Sequence, residues 1–155
     1  SILGFANVKP LDVDVTEGAK LPNFELRDFH GKYIKSKKIF GSKKPTLLIF
    51  ASEWCPHCQK ELPEVQKLYN ENKDTMNVVV IFRRKNTNLT NTKKYVKENN
   101  FTFPVYYDAS NELTEAFHVK SVPYNLIIQN SRIQKDLCGS KTYEELKEAF
   151  YLYQF

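Results

Sequence analysis

Two cysteines, Cys55 and Cys58, stand two residues apart in the stretch IFASEWCPHCQKELPEV at positions 49–65. Cysteines at this spacing hold half of a zinc site, close a small structural disulfide, or exchange electrons as a dithiol and disulfide. A zinc site needs two further ligands, and Cys138 and the three scattered histidines form no second ligand pair. A structural disulfide across so short a loop constrains the unfolded chain little. The spacing therefore favours redox exchange, with no metal and no cofactor beyond the cysteine pair itself.

The elements around the pair support this interpretation. The apolar run at 45–51 is typical of a strand that is buried on both faces. A helix is predicted over 55–72, with an apolar stripe at Cys58, Leu62, Val65 and Tyr69. Cys55 would begin this helix, where unpaired N–H groups and the helix dipole favour a thiolate. We expect Cys55 to be exposed and to attack, and Cys58 to be more buried and to resolve the mixed disulfide.

The rest of the chain alternates strand and helix patterns. Strands are predicted at 77–83, 103–108, 124–129 and 132–137, and helices at 90–100, 111–119 and 140–153. Residues 21–34 have the pattern of a hairpin that turns at His30-Gly31. We expect an extended N-terminal arm over 1–20 and one domain over 21–155. The pattern predicts a three-layer α/β fold with a mixed sheet.

Composition excludes several classes of protein. The chain has 155 residues, 41% of them hydrophobic, which suits one globular domain with its own core. The formal charge is +5, but the lysines are scattered among carboxylates, which favours a solvated surface over a nucleic-acid interface. No apolar run reaches the roughly 18–20 residues that a membrane span needs. We expect neither a nucleic-acid partner nor a transmembrane segment.

Taken together, several segments resemble the TlpA/ResA-like branch of the thioredoxin superfamily. They are FASEWCPHCQKELPEV for the active-site segment, LPNFELRDFHGKYI for the opening hairpin, NVVVIFRRKNTNLTNTKKYVKENNFTFPVYYD for the strand–helix insertion, and LTEAFHVKSVPYNLIIQNSRI for the segment that carries a cis-proline. The resemblance runs from about residue 21 to 150. It implies a thioredoxin-like α/β/α fold with a central mixed sheet, and a thiol-disulfide oxidoreductase that acts on protein thiols and disulfides.

The resemblance also implies roles for single residues. Cys55 matches the nucleophile of the branch and Cys58 its resolving cysteine. Trp54 matches the tryptophan that packs over the active-site helix. Pro123, after Val122, matches the loop proline that these proteins hold in cis against the disulfide. Proline has no N–H, and we expect this to leave the neighbouring backbone free to pair with an incoming peptide.

Acidic residues near the pair receive different predictions. Glu61 lies three residues after Cys58 on one helix face, where a half-buried carboxylate with a raised pKa would exchange a proton with that thiol. Glu61 also matches the acidic residue of the branch, although an ordinary solvated glutamate remains the alternative. Glu53 is expected to be exposed and without a role.

Cys138 is expected to be buried and inert, with a third redox cysteine as the alternative.

The direction of electron flow stays open at this point. A cationic His57 beside Cys55 would stabilise the thiolate and the reduced form, which makes the disulfide a stronger oxidant. Pro56, His57 and Val122 resemble DsbA-type oxidases, and they slightly favour oxidation. Glu61 and the branch as a whole favour disulfide reduction outside the cytoplasm, as in cytochrome c maturation.

Two other functions compete with disulfide exchange. A peroxiredoxin-like peroxidase would need a proline seven residues before the reactive cysteine, where this chain has Leu48. A non-catalytic binding module would have no need of a complete Trp-Cys-x-x-Cys motif and its matching proline. By resemblance we expect a monomer outside the cytoplasm that exchanges electrons with a membrane redox protein. We expect it to be either free there or anchored by a segment that is absent from this sequence.

Overall fold

The computed structural model describes residues 9–154, and its elements follow the predicted order except for a short helix at Ser36–Phe40 that the sequence analysis did not predict. The strands are β1 Glu25–Arg27, β2 Tyr33–Lys35, β3 Thr46–Ala51, β4 Asn77–Arg83, β5 Val105–Asp108, β6 Tyr124–Gln129 and β7 Arg132–Leu137. The helices are α1 Ser36–Phe40, α2 Pro56–Glu71, α3 Leu89–Glu98, α4 Glu112–Ala116 and α5 Tyr143–Tyr151. In the predicted arm, residues 9–19 lie in neither a helix nor a strand, and Val13 is buried against the domain. The start of that arm, residues 1–8, lies outside the described residues.

A mixed five-stranded sheet, in the order β5-β4-β3-β6-β7, forms the centre of the fold, as predicted. Strand β3 runs parallel to β4 and antiparallel to β6, and β4 runs parallel to β5. All six residues of β3 are buried, which explains why its sequence is apolar rather than alternating. Because β6 is antiparallel to β3, the chain leaving β3 after Ala51 and the chain entering β6 before Tyr124 lie next to each other at the same end of these two central strands.

Helix α5 packs against α2 on one side of this sheet. Its start is held by the predicted capping box, in which Thr142 and Glu145 satisfy each other's backbone N–H groups. Leu146 and Phe150 are buried, and they place the apolar face of α5 in the core. The segment just before α5 is thereby brought beside α2, which matters for the site described below.

Both predicted hairpins are present. The β1–β2 hairpin adjoins β5 through a bridge between Asp28 and Tyr106. In the β6–β7 hairpin, Asn130 and Ser131 both have positive φ, as a two-residue turn that matches the strand twist requires. Over residues 9–154, the helices include none with the length and apolarity that a bilayer crossing demands.

Candidate active site

Cys55 lies at the N-cap of α2, and Pro56 occupies the first turn of that helix, where a missing N–H costs nothing. The amide of Gln59 donates to the Cys55 carbonyl at 2.9 Å, which anchors the first helical turn. Both cysteines of the pair are free thiols. The motif therefore sits at the junction of a buried strand and a helix, as its sequence predicts.

The predicted exposure of Cys55 is wrong. Its exposed fraction is only 8%, against 0% for Cys58, so the expected order holds but the attacking thiol is nearly covered. The cover is the loop before β6, where the carbonyl oxygen of Val122 accepts the Cys55 S–H at 3.6 Å. The resemblance places the loop proline against the cysteine pair, but local sequence pattern does not show that the loop covers Cys55, because 67 residues separate the two groups.

The loop that covers Cys55 contains the predicted cis peptide bond between Val122 and Pro123. Both residues are buried, and β6 begins directly after them. Tyr124, the first residue of β6, is paired with Phe50 near the end of β3. This register holds the Val122 carbonyl against the start of α2.

The Cys58 thiol is fully enclosed. Burial raises the pKa of Cys58 to about 12, since a thiolate there is stripped of water. A hydrogen bond from the Ser52 backbone opposes this shift, while the charges of Cys55 and Glu61 add to it. At neutral pH, Cys58 is therefore a thiol that needs a base before it can attack.

Glu61 lies one helical turn after Cys58 and carries the carboxyl group near that thiol. It is more deeply buried than predicted, with 1% exposure instead of a half-buried position. Its Oε1 atom accepts hydrogen bonds from the Lys141 backbone N–H at 2.7 Å and from Asn125 Nδ2 at 3.0 Å. Its Oε2 atom is buried and has no hydrogen-bond partner among residues 9–154. Burial raises the pKa of Glu61 to about 7, and the two donors limit the rise. The group is thus poised to gain or lose a proton near neutrality.

Asn125 is a site residue that the sequence analysis missed. It is fully buried in β6, and besides Glu61 it donates to the Gly139 carbonyl at 3.1 Å. A signal was present in the sequence, because Asn125 is an amide directly before the apolar residues Leu126, Ile127 and Ile128, two residues after the loop proline. A buried polar side chain in such a strand needs partners, which marks it for attention.

Trp54 packs beside the motif and remains 40% exposed. Its indole Nε1–H donates to the Lys85 carbonyl at 2.8 Å, and the Arg83 guanidinium lies 5.7 Å from the ring centroid. Arg83 Nε in turn donates to Ser52 Oγ at 2.6 Å. The end of β4 therefore fixes the tryptophan, a link that sequence reasoning did not reveal.

His57 is exposed on the first turn of α2.

Two further predictions on chemistry-bearing residues are wrong. Glu53 is buried, with 8% exposure, because Thr92 on α3 covers it and lies 3.1 Å from its Oε1 atom. Cys138 is exposed, because β7 ends at Leu137 and the chain leaves the sheet there. In the described range, 9–154, no three His, Cys, Asp or Glu side chains come together in a way that would hold a metal ion.

Comparison with known proteins identifies the family of this chain. The AhpC/TSA family profile matches residues 18–135, most of the chain. The chain belongs to the AhpC/TSA family. Among its relatives, the sporulation thiol-disulfide oxidoreductase A of Bacillus subtilis is 32% identical over 81% of this chain and 76% of its own. The thiol-disulfide oxidoreductase ResA of Bacillus cereus (strain ATCC 10987 / NRS 248) is 30% identical over 84% of this chain and 75% of its own.

Solved structures agree with the architecture of this AhpC/TSA-family chain. The crystal structure of StoA from Bacillus subtilis superimposes with a TM-score of 0.71 at 28% identity, over 82% of this chain and 95% of StoA. A thiol:disulfide interchange protein of Chlorobium tepidum has a TM-score of 0.77 over 92% of this chain and all of its own, and at 20% identity it shows the fold alone. The chain is therefore a thioredoxin-fold thiol-disulfide oxidoreductase.

Proposed function

We propose that this AhpC/TSA-family protein reduces disulfides of partner proteins, with Cys55 as the nucleophile and Cys58 as the resolving cysteine. The observation that carries the proposal is the burial of the Cys58 thiol close to Glu61, a carboxyl group whose pKa is raised to about 7. A protonated thiol beside a group that accepts a proton near neutral pH suits the resolving half of a dithiol reaction. The cysteine pair itself is the redox group, and no other cofactor takes part.

In the first step, the Cys55 thiolate attacks one sulfur of the partner disulfide. A Cys55–sulfur bond forms and the partner's sulfur–sulfur bond breaks, so the second partner sulfur leaves as a thiolate and takes a proton from water. The product is a mixed disulfide on Cys55. Cys55 attacks from the N-cap of α2, at the positive end of the helix dipole.

In the second step, Cys58 gives its proton to Glu61 and attacks the Cys55 sulfur. The Cys55–Cys58 disulfide forms, and the partner sulfur leaves as a thiolate that takes up one proton. The partner thus gains two electrons and two protons, while the enzyme pair loses two electrons. A protein dithiol must supply two electrons to restore the enzyme, and we assign that role to a membrane redox protein.

The high pKa of Cys58 supports this direction of flow. Burial disfavours the Cys58 thiolate, so the reduced pair lacks the thiolate stabilisation at Cys58 that would make its disulfide a stronger oxidant. Closure of the Cys55–Cys58 bond releases the partner as a thiol, which is the reductive outcome. The closed pair is reopened when a thiolate of the restoring dithiol attacks Cys55 and displaces Cys58.

Oxidation remains the competing direction, because Pro56, His57 and Val122 resemble DsbA-type oxidases. His57 is exposed, so solvent screens the charge that it would place near Cys55. The reduction potential of the Cys55–Cys58 pair separates the two directions. We expect a value near that of thioredoxin, about −270 mV, and a value near about −120 mV would establish the oxidase instead.

The residue roles can be tested with pre-reduced protein and a peptide disulfide, after all other reductant has been removed. We expect one peptide disulfide to be reduced per protein, no reduction by Cys55→Ser, and a trapped mixed disulfide with Cys58→Ser. Peroxide consumption by Cys58→Ser would support the peroxidase alternative instead. Full reduction by Cys55→Ser would contradict the assignment of the nucleophile.

We place the protein outside the cytoplasm as a monomer, in keeping with its resemblance to the TlpA/ResA-like branch. The exposed Cys138 offers a direct measurement of location. In intact cells, a maleimide that cannot cross membranes should label Cys138 if the protein lies outside. Labelling only after lysis would place it in the cytoplasm.

A further inference from the structure

A cleft of about 430 Å³ adjoins the candidate active site at the end of β4. Its lining includes four basic residues, Arg83, Arg84, Lys85 and Lys120, and one carboxylate, Glu115. That carboxylate is engaged by the Asn111 side-chain amide at 3.2 Å. His118 also lines the cleft, and its Nε2 atom lies 2.7 Å from Asp12 Oδ1. The four basic residues outnumber these two carboxylates, so the cleft is cationic, and its volume falls in the range of about 300–1,000 Å³ that is typical of ligand sites.

Arg83 is the most informative of these residues. It is only 7% exposed, and its guanidinium lies against the Trp54 ring with Nε bonded to Ser52 Oγ. Among residues 9–154, no Asp or Glu forms an ion pair with it. Its cross-strand neighbour Asp108 is also buried, but the oxygens of that carboxylate accept hydrogen bonds from Leu113 and Thr114. Buried charges are usually paired, so a buried arginine that lines a cavity and has no ion-pair partner indicates that an anion binds there.

Two sides of the cleft, one with Arg83 and the other with Lys120, are connected to residues next to the Cys55 sulfur. Trp54, which Arg83 contacts, immediately precedes Cys55 in the chain. Lys120 lies two residues before Val122, whose carbonyl contacts the Cys55 thiol, so about 7 Å of chain separates them. A peptide with its cysteine at Cys55 would carry residues two or three positions away, about 7–10 Å, over the cleft.

We propose that this cationic cleft binds acidic side chains that flank the reacting cysteine of a partner protein. The inference rests on the proposed function, because it names the class of protein substrate that the dithiol serves. Arg83 would hold one carboxylate through its free guanidinium nitrogens, and Lys85 and Lys120 would add longer-range attraction. Acidic flanking sequence would thus select the substrate.

Binding is tested separately from chemistry with peptides in which serine replaces cysteine. Trp54 is the only tryptophan of the chain, and it contacts the lining residues Arg83 and Lys85, so we expect its fluorescence to report occupancy. At low salt, we expect a peptide with Asp and Glu beside the serine to bind about tenfold tighter than its Asn and Gln counterpart. About 0.5 M salt should remove most of this preference.

A matched pair of variants distinguishes the cleft from the general surface charge. In Lys85→Gln/Lys120→Gln, we expect the preference to fall to about twofold. In Lys38→Gln/Lys43→Gln, where the same charge is removed far from the motif, it should stay near tenfold. Arg83→Gln should also lose the preference, and a thermal melt will show whether that variant still folds. Equal loss in both double variants, or no loss in the first, would overturn the proposal.

Turnover of the matching peptide disulfides separates failure of this inference from failure of the proposed function. Reduction of both peptides at equal rates by the wild-type protein would overturn the acidic preference while leaving disulfide reduction in place. Failure to reduce either peptide would reject the proposed function, and the binding experiment would still decide on the cleft. Tighter binding of oxidised glutathione than of the acidic peptide would assign the cleft to a small thiol carrier and overturn the protein-substrate proposal.

Discussion

Asn125 Nδ2 donates a hydrogen bond to Glu61 Oε1 at 3.0 Å, although the two residues lie 64 positions apart. This bond joins the strand after the loop proline to the helix that carries the cysteine pair. It also stabilises the carboxylate form of a group that burial pushes toward the protonated form. The pH at which Glu61 accepts a proton therefore depends on the sheet as well as on its own helix.

Glu61→Gln is expected to slow the second step of the reaction. Without a carboxylate near Cys58, the buried thiol has no neighbouring base, and general-base loss typically costs about 10²-fold or more. Rapid-quench measurement of mixed-disulfide decay checks this. In the wild-type protein the rate should rise as pH increases through about 7, and in the variant this rise should disappear. Glu64→Gln, also on α2, serves as the control, and an equal loss there would contradict a specific role for Glu61.

Glu61 should also make stability depend on pH. Its pKa is raised from 4.5 to about 7, so the folded protein holds this proton more tightly than the unfolded chain. The resulting stabilisation is fully present below about pH 4.5 and is lost as pH rises through about 7, a change of about 3 kcal/mol. Urea denaturation of the reduced protein at pH 5 and pH 8 measures it. The decline should be much smaller in Glu61→Gln and unchanged in Glu148→Gln.

Asn125→Ala should move the pH dependence of the second step upward. The Asn125 amide lowers the pKa of Glu61, so its removal allows burial to raise that pKa further. We expect the midpoint of mixed-disulfide decay to shift by about one pH unit, without loss of the first step. If the midpoint stays in place while the protein remains folded, Asn125 has only a structural role.

Cys138→Ser should leave disulfide reduction within about twofold of the wild-type rate. Cys138 is an exposed free thiol just beyond the end of β7. Turnover of the peptide disulfide and mass spectrometry of the oxidised protein provide the measurements. A disulfide that includes Cys138 after turnover would establish it as a third redox cysteine.

Much of the fold could be predicted from local pattern. The apolar run of β3, the capping box at Thr142 and the turn at Asn130-Ser131 each specify a short piece of backbone through nearby residues. Exposure was harder to predict, because it depends on what covers a residue from elsewhere in the chain. Glu53 is covered by Thr92 and Cys55 by Val122, while Cys138 is left uncovered where β7 ends.

The sequence by itself determined the cysteine pair, the helix that begins at it, and the presence of Glu61 one turn after Cys58. These follow from residue type and helical spacing, which act over a few residues. Only the tertiary structure decided that Asn125 and the Lys141 amide meet Glu61, and that Arg83 lines a cationic cleft beside Trp54. The physical reason is that burial and long-range hydrogen bonds depend on strand order and register, which bring residues 64 and 80 positions apart to a single carboxylate.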